Sequence, residues 1–136
     1  MKELFDVHCH MVPGVDDGAA DLEESLAMLK MQHEDGVRKI IITPHYRRRM
    51  FETPAKKVHE QFLKLQEAAK KEYPDMSLYL GCELHSNMDL QDILEKRKYV
   101  TMAGSSYVLL EFSEGDSAQH IRERVYNVLS LSLIHI

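Results

Sequence analysis

Short apolar segments alternate with amphipathic segments along the whole chain, and this alternation constrains the fold more than any other feature of the sequence. Each apolar segment has the length of a buried strand, and each amphipathic segment has the period of a helix. The predicted strands are Leu4–Cys9, Lys39–Thr43, Leu78–Cys82 and Val108–Phe112. Strands separated by helices pair in parallel through right-handed crossovers. We therefore expect an α/β fold in which four β-α units form a sheet or barrel wall, with chemistry at the carboxyl ends of the strands.

The predicted helices have recognisable starts. Asp21 is predicted to cap the first helix, because a glutamate follows three residues later. Thr53 and Pro54 are the predicted N-cap and first residue of the second helix. The remaining helices are predicted over Asp89–Lys98 and after the N-cap Ser117. The apolar stripes expected to face the core are Leu22, Leu26 and Leu29 in the first helix, Val58, Phe62, Leu65 and Ala69 in the second, and Ile121, Val125, Val128 and Leu129 in the last.

Length and charge limit the possible functions. The chain has 136 residues and a formal net charge of -5, from 17 Lys plus Arg against 22 Asp plus Glu. A chain of this size forms one core, and a net acidic chain lacks the basic excess that nucleic-acid backbones require. No apolar run reaches the roughly 20 residues of a membrane span, and the start shows no signal-peptide core, so a cytoplasmic location is expected. Two cysteines, Cys9 and Cys82, do not indicate a disulfide framework.

Residues of metal-ligating types stand at the ends of all the predicted strands. His8 and His10 are two apart at the end of the first strand, so both imidazoles point to the same face. His45, Glu83 and Glu111 end the next three strands, and an aspartate from the loop after the first strand can join them. Because the carboxyl ends of parallel strands converge on one rim, we predict a metal cluster there. Mixed imidazole and carboxylate ligands favour Mn, Fe or Zn over Ca or Mg.

Other titratable residues near these strands have simpler interpretations. Asp6 is predicted to orient an imidazole rather than to bind metal itself. His85, two residues after Glu83, is expected to neighbour the site without being a ligand. The histidines of the predicted helices are expected on solvated faces, and these are His33, His59 and His120.

The loop after His45 carries Arg47, Arg48 and Arg49 in a row. Three guanidiniums beside a cationic site favour phosphate binding, because paired N–H groups match phosphate oxygens. A solvated basic loop is the alternative. No cysteine nucleophile is expected: Cys9 points to the face opposite the histidines, and no phosphate-cradling loop follows Cys82.

Six motifs together resemble one enzyme family. They are Phe5-Asp6-Val7-His8-Cys9-His10, Pro13-Gly14-Val15-Asp16-Asp17-Gly18, Thr43-Pro44-His45, Met50-Phe51-Glu52-Thr53-Pro54, Gly81-Cys82-Glu83 and Leu110-Glu111-Phe112. From Met1 to about Leu129, the chain resembles the PHP-family (polymerase and histidinol phosphatase) phosphatases. Within that family it is most similar to the manganese-dependent protein-tyrosine phosphatases of bacterial capsular and exopolysaccharide operons. The resemblance implies a distorted (β/α)₇ barrel with a trinuclear metal site, acting on the tyrosine-rich tail of a membrane-associated autokinase.

The resemblance also implies a role for each ligand. The implied ligand sets are His8, His10 and Glu83 for a first metal, Glu83 and Glu111 for a second, and Asp17 and His45 for a third. Between the neighbouring aspartates, the family pattern favours Asp17 over Asp16, although either can reach from this loop. The implied nucleophile is a metal-bound hydroxide rather than a protein group, with the metals and arginines stabilising the equatorial phosphate oxygens.

Two family motifs do not occur in this sequence: a His-x-Glu-Arg motif with the catalytic arginine, and a later Asp-x-His. The resemblance therefore implies about half a barrel, namely a partial phosphatase domain over residues 1–130 with an incomplete cluster. Expressed alone, such a chain is expected to be inactive and poorly soluble. Residues 131–136 resemble a translated sequencing adapter, and we predict a read-through tail in which His135 is no ligand. A natural apolar terminus is the alternative.

The sequence leaves three functions open. The leading interpretation is metal-dependent hydrolysis of phosphotyrosine on a protein. The second is a PHP hydrolase of a small phosphate monoester, similar to histidinol phosphatase. The third is a non-catalytic metal-binding or docking module, and the oligomeric state is also open.

Overall fold

Parallel strands and helices alternate along the chain, as the sequence predicts. The computed structural model describes residues 3–95, 101–131 and 134–135. Its strands are β1 (Leu4–Cys9), β2 (Val37–Ile42), β3 (His45–Tyr46), β4 (Ser77–Leu80), β5 (Glu83–His85), β6 (Tyr107–Glu111) and β7 (Ile134–His135). Its helices are α1 (Leu22–Glu34), α2 (Ala55–Glu72), α3 (Leu90–Glu95) and α4 (Ala118–Ser130), with a 3₁₀ turn at Met102–Gly104. The predicted α/β class is confirmed, because neighbouring strands pair in parallel.

The described strands form two sheets rather than one continuous wall. The first has the order β1-β2-β4 and the second the order β3-β5-β6-β7. The predictions for the second and third strands are wrong at their carboxyl ends, since these strands stop at Ile42 and Leu80 and a short strand follows each break. Pro44 has no N–H to donate to a ladder. Gly81 admits the side chain of Met102, whose sulfur would lie 2.9 Å from a Cβ built there.

The second sheet continues the first past these breaks. Thr43 N–H donates to Cys9 O at 2.9 Å, and Glu83 N–H donates to Pro44 O at 3.0 Å. β3 and β5 then pair with His45 opposite Glu83. β3 and β5 therefore follow β2 and β4 after each break, and His45 and Glu83 lie side by side just beyond the carboxyl ends of β2 and β4.

The helix starts agree with the sequence in two cases. Asp21 and Ser117 each accept a main-chain N–H from three residues later, at 2.9 and 3.1 Å. The prediction for Thr53 is wrong: α2 begins after Pro54, and the Thr53 hydroxyl donates to Val15 O at 2.7 Å, so it anchors a loop. Among the described helices, none has the length and apolar character needed to cross a membrane.

The apolar stripes pack into two clusters. One joins α1 and α2 to the first sheet, around Leu29, Ile40 and Leu65, and the other joins α4 to β5 and β6, around Leu84 and Val128. The predicted stripe of α2 is confirmed, because three of its residues are buried and the fourth packs against them. Two predicted core residues are exposed instead, and these are Leu22 and Leu129.

The last part of the chain agrees with the sequence only in outline. β6 covers Tyr107–Glu111 where Val108–Phe112 was expected, and α3 covers Leu90–Glu95 of the predicted Asp89–Lys98. The remainder of that predicted helix lies outside the described residues. β7, within the predicted tail, pairs in parallel with β6. The origin of residues 131–136 stays a prediction.

Candidate metal centre

The predicted ligands lie on one rim, at the carboxyl end of the first sheet. His8 and His10 come from the end of β1, while His45 and Glu83 begin β3 and β5 rather than ending the longer strands that were predicted. Glu111 ends β6, as predicted. Their ligand atoms form three groups, with every atom of a group within 4.8 Å of the others. The groups are His8, His10 and Glu83; His10, Asp17 and His45; and His45, Glu83 and Glu111.

Glu83 is the centre of this arrangement. Its Oε2 lies 2.9 Å from His8 Nε2, 3.0 Å from His10 Nε2 and 3.4 Å from His45 Nδ1. Burial raises the pKa of the Glu83 carboxyl, but hydrogen bonds from His10 and His8 outweigh burial and bring it to about 2. The buried carboxylate is therefore ionised at neutral pH, with three imidazoles around one oxygen.

His10 is held between two carboxylates. Its Nδ1 lies 3.0 Å from Asp16 Oδ2, and its Nε2 lies 3.0 Å from Glu83 Oε2. The hydrogen bonds to Asp16 and then to Glu83 raise the pKa of the imidazole to about 10. The carboxylates of this rim therefore favour a cation at the position of the ring.

The neighbouring aspartates occupy different positions. Asp17 is largely exposed and places Oδ1 3.6 Å from His45 Nε2, facing the cluster. The Asp16 side chain is fully buried. It accepts N–H bonds from His45 and Gly18, each at 3.0 Å, in addition to its contact with His10. Burial raises the Asp16 pKa, but the bonds from His10, His45 and Gly18 lower it below its usual range.

The sequence offers Asp16 as the alternative ligand to Asp17, and its contact with His10 was not predicted. Asp16 contacts His10 Nδ1 and accepts the His45 N–H, so it orients the His10 ring and ties the loop to β3. Orienting an imidazole was the role predicted for Asp6. Asp6 instead accepts the main-chain N–H of His8 at 3.0 Å and a bond from Gln32 Nε2 at 2.6 Å, so it contacts the backbone of a predicted ligand. The sequence feature that could have indicated the position of Asp16 is its Asp-x-Gly spacing, since an aspartate commonly accepts the N–H two residues later in a turn.

Two buried polar atoms without a hydrogen-bond partner indicate whether these residues fit a metal ion. His45 Nδ1 and Glu111 Oε2 are buried and have no hydrogen-bond partner among the described residues. They lie 3.6 Å apart, next to Glu83 Oε2. Buried polar atoms are paired in the great majority of cases, and an unpaired one requires an explanation. A cation shared by the two atoms would satisfy both, and the imidazole-carboxylate set suits a divalent transition metal.

The three arginines are not equivalent. The Arg47 guanidinium is half-buried, with its Nη1 3.9 Å from Glu111 Oε1 at the edge of the cluster. Arg48 and Arg49 are exposed in the turn that follows. The Arg48 N–H donates to the sulfur of Met88 at 3.1 Å, and Arg49 adopts a left-handed backbone with φ of 66°. Only Arg47, of the three, has a contact with the cluster in the described structure.

The other histidines lie outside these groups. His85 is buried, with Nε2 3.0 Å from the Ser113 hydroxyl, and it lies opposite Glu111 in the pairing of β5 with β6, next to the rim. His33 is 3.0 Å from Asp75 and His120 is 3.4 Å from the Ser86 hydroxyl, so the expectation of purely solvated faces is wrong for both. The third helical histidine, His59, is exposed on α2 as expected.

Neither cysteine is suited to nucleophilic attack. Both thiols are free, and Cys82 is buried. Burial, and then nearby carboxylates, raise the pKa of Cys9 and of Cys82 well above the usual range of a thiol. The reactive species is the thiolate, which these sites disfavour. Any hydrolysis at this rim therefore depends on other groups.

The fold and the rim define an α/β protein whose parallel strands gather imidazoles and carboxylates at one edge. Residues 4–136 match the model of the CpsB/CapC family of capsular polysaccharide synthesis, and the chain belongs to this family.

Relatives of this chain include tyrosine-protein phosphatases. The chain is 39% identical over 130 residues to the tyrosine-protein phosphatase CpsB of Streptococcus pneumoniae, covering 96% of this chain and 54% of that protein. It is 27% identical over 125 residues to the tyrosine-protein phosphatase YwqE of Bacillus subtilis, covering 92% of this chain and 49% of that protein. It also matches a chain among the crystal structures of these two metal-dependent tyrosine phosphatases, with a TM-score of 0.86 and 26% identity over 97% of this chain and 53% of that one. The chain thus spans about half the length of the relatives it matches.

Proposed function

We propose that a protein carrying this chain hydrolyses phosphotyrosine on proteins with metal ions held at the strand rim. The observation that carries the proposal is the unpaired, buried pair of His45 Nδ1 and Glu111 Oε2 beside the ionised Glu83. A purely structural polar cluster pairs such atoms internally. Membership of the CpsB/CapC family and the phosphatase activity of its named relatives support the reaction class.

The proposed ligands are those predicted from the sequence: His8, His10, Asp17, His45, Glu83 and Glu111. Glu83 would share in holding the ions with all three histidines, because its Oε2 lies near their imidazoles. Manganese is the proposed metal, with iron and zinc compatible with the same ligand types. Bound metal ions supply Lewis-acid stabilisation of phosphoryl oxygens and activation of water. We also propose that the chain forms the first half of a distorted (β/α)₇ barrel whose later strands complete the ligand set.

Protein groups around the ligands have separate tasks in this proposal. Asp16 holds His10 in one orientation through Nδ1, leaving Nε2 directed at Glu83. Arg47 lies next to Glu111 and is placed to donate to phosphate oxygens at the edge of the site. Arg48 and Arg49, exposed in the adjoining turn, are available to an anionic peptide that carries the phosphotyrosine. Neither thiol participates.

The proposed substrate is the tyrosine-rich tail of a kinase in capsule or exopolysaccharide synthesis, dephosphorylated in the cytoplasm. The exposed arginines beside the rim favour a peptide substrate over a small monoester, since only a peptide extends past the site to reach them. The small phosphate monoester and the non-catalytic metal-binding module remain the alternatives that the assay must separate.

A substrate panel tests the proposal. The gene product that contains residues 1–136 is assayed with a phosphotyrosyl peptide, a phosphoseryl peptide of the same sequence and a small aryl phosphate. We expect metal-dependent hydrolysis that is fastest on the phosphotyrosyl peptide. His8→Ala removes most of it, and His59→Ala, an exposed histidine outside the rim, is the matched control and leaves it intact. Activity confined to small phosphates, or equal activity of the two variants, would contradict the proposal.

A further inference from the structure

His45 lies between two aromatic rings. The His10 and His45 rings are stacked with centroids 4.3 Å apart and an interplanar angle of 24°. On the other side, the Phe51 ring is stacked on His45 with centroids 5.0 Å apart and an angle of 15°. His45 is therefore the middle ring of a stack that runs from the turn after β3 into the rim.

Hydrogen bonds do not orient the His45 ring, in contrast to its neighbours. His10 is fixed through both ring nitrogens, and His8 contacts Glu83 at 2.9 Å. Of the His45 ring nitrogens, Nδ1 has no hydrogen-bond partner among the described residues and Nε2 lies 3.6 Å from Asp17. The main-chain N–H of His45 donates to Asp16 Oδ2 at 3.0 Å, which leaves the ring itself free of hydrogen bonds among the described residues. Carboxylates lie 3.4 to 3.6 Å from both ring nitrogens, and packing against Phe51, whose ring covers the outer face, adds the contact that fixes the plane of this imidazole.

The turn that presents Phe51 is tightly built. Arg47 and Phe51 exchange main-chain hydrogen bonds, each at 2.9 Å. Between them Arg49 takes a left-handed backbone, which a residue with a Cβ adopts at a conformational cost, and its N–H donates to Glu52 at 3.2 Å. Thr53 then ties the segment to the loop after β1. A strained turn held at both ends gives Phe51 a defined position against His45.

We propose that Phe51 is a positioning residue that fixes the His45 imidazole for metal binding. The inference rests on the proposed metal role of His45. Stacked aromatic pairs contribute beyond the area they bury, and groups that orient a ligand typically change metal affinity by about 10 to 100-fold. Because Phe51 acts through packing alone, we expect an effect near the lower end, about 10-fold, on the ion that His45 binds.

Calorimetric titration of the gene product that contains residues 1–136 with Mn²⁺ alone provides the first test. Phe51→Leu keeps an apolar side chain and removes the ring, and Phe51→Tyr keeps the ring. Phe5→Leu is the matched control, since the Phe5 ring is exposed on β1 and contacts the Lys39 ammonium instead of the rim. We expect Phe51→Leu to lower the affinity of one class of Mn²⁺ site about 10-fold, with Phe51→Tyr and Phe5→Leu unchanged. Equal affinity in Phe51→Leu and the unmodified chain would overturn the inference.

Histidine-ring NMR of the same gene product without metal provides a second test that does not depend on activity or on metal. We expect the His45 ring protons of the unmodified chain to be shifted upfield by the two stacked rings. Relaxation should show a more mobile His45 ring in Phe51→Leu, with His8 unchanged. A His45 ring without the upfield shift, or one equally ordered in Phe51→Leu, would overturn the inference. If the unmodified gene product binds no Mn²⁺ while these ring effects are seen, the proposed function fails and the positioning of His45 by Phe51 stands.

Discussion

Gly18→Ala is the substitution whose effect the structure specifies most closely. A Cβ built at Gly18 lies 2.1 Å from His10 O, 2.5 Å from His10 Cβ and 2.9 Å from the His10 carbonyl carbon. Two of these atoms are backbone, so no side-chain rotation relieves the clash. The same loop is closed by a bond from Ala19 N–H to His10 O at 3.0 Å. The chain must therefore move the loop or the end of β1, and either movement displaces a predicted ligand.

The expected cost is the sum of two effects. Forcing extra volume into a filled site costs about 1 to 3 kcal/mol. Losing the Ala19 bond to His10 costs about 1 kcal/mol more. We expect Gly18→Ala to lower the free energy of unfolding by about 2 to 4 kcal/mol. For a chain of this length that corresponds to a fall in Tm of roughly 10 °C.

Urea unfolding followed by circular dichroism, in metal-free buffer, measures this change. Gly115→Ala is the matched control, because a Cβ at Gly115 meets nothing within 4 Å and its backbone is not left-handed. We expect that control to change the free energy of unfolding by less than about 0.5 kcal/mol. If both variants have the same stability, the contact between the loop after β1 and His10 is wrong, and so is the placement of the aspartates that this loop carries.

Three further predictions concern the site itself. Cys9→Ser and Cys82→Ser should retain hydrolysis, and a phosphocysteine trapped by acid quench would contradict this. In the unmodified protein both thiols should react slowly with iodoacetamide at neutral pH, because their pKa values are raised. Arg47→Ala should raise KM for phosphopeptides about tenfold with a smaller fall in kcat, because the substitution removes a contact made equally in ground and transition states. Arg48→Ala, in the same turn, should change KM less. In the metal-free chain the lowered pKa of Glu83 stabilises the fold above its ordinary pKa near 4.5, and this contribution is lost as the pH falls towards 2. In Glu83→Gln, the free energy of unfolding should therefore fall less between pH 4.5 and about pH 2 than it does in the unmodified chain. The same fall in both proteins would refute the contacts around Glu83.

The parts of the fold that depend on local sequence could be predicted. β1 has the predicted bounds, and Asp21 and Ser117 cap their helices, because caps and short apolar segments are decided within a few residues. The break before His45 has a local cause, because Pro44 has no N–H to donate. The break before Glu83 could not be predicted, because it depends on how a distant side chain, Met102, meets Gly81, and periodicity carries no information about such contacts.

The candidate site shows the same division. The residue types at the strand ends predicted five of the rim residues, because parallel topology alone brings strand ends together, and the resemblance to the family favoured Asp17 as the sixth. The roles of Asp16 and Phe51 depend on side-chain directions in two loops, where a neighbouring aspartate or aromatic residue is equally plausible from sequence. Three-dimensional contacts were needed to separate Asp16, buried against His10, from Asp17, exposed towards His45.

Anomalous scattering from Mn²⁺-soaked crystals of the gene product that contains residues 1–136 tests the central claim most directly. Difference maps collected at the manganese edge locate the ions without reference to activity. We predict peaks on the rim, one contacted by His8, His10 and Glu83 and another by His45 and Glu111, with Asp16 outside every coordination sphere. Manganese bound elsewhere on the chain, or a rim without anomalous density at saturating Mn²⁺, would contradict the assignment of this rim as a metal centre.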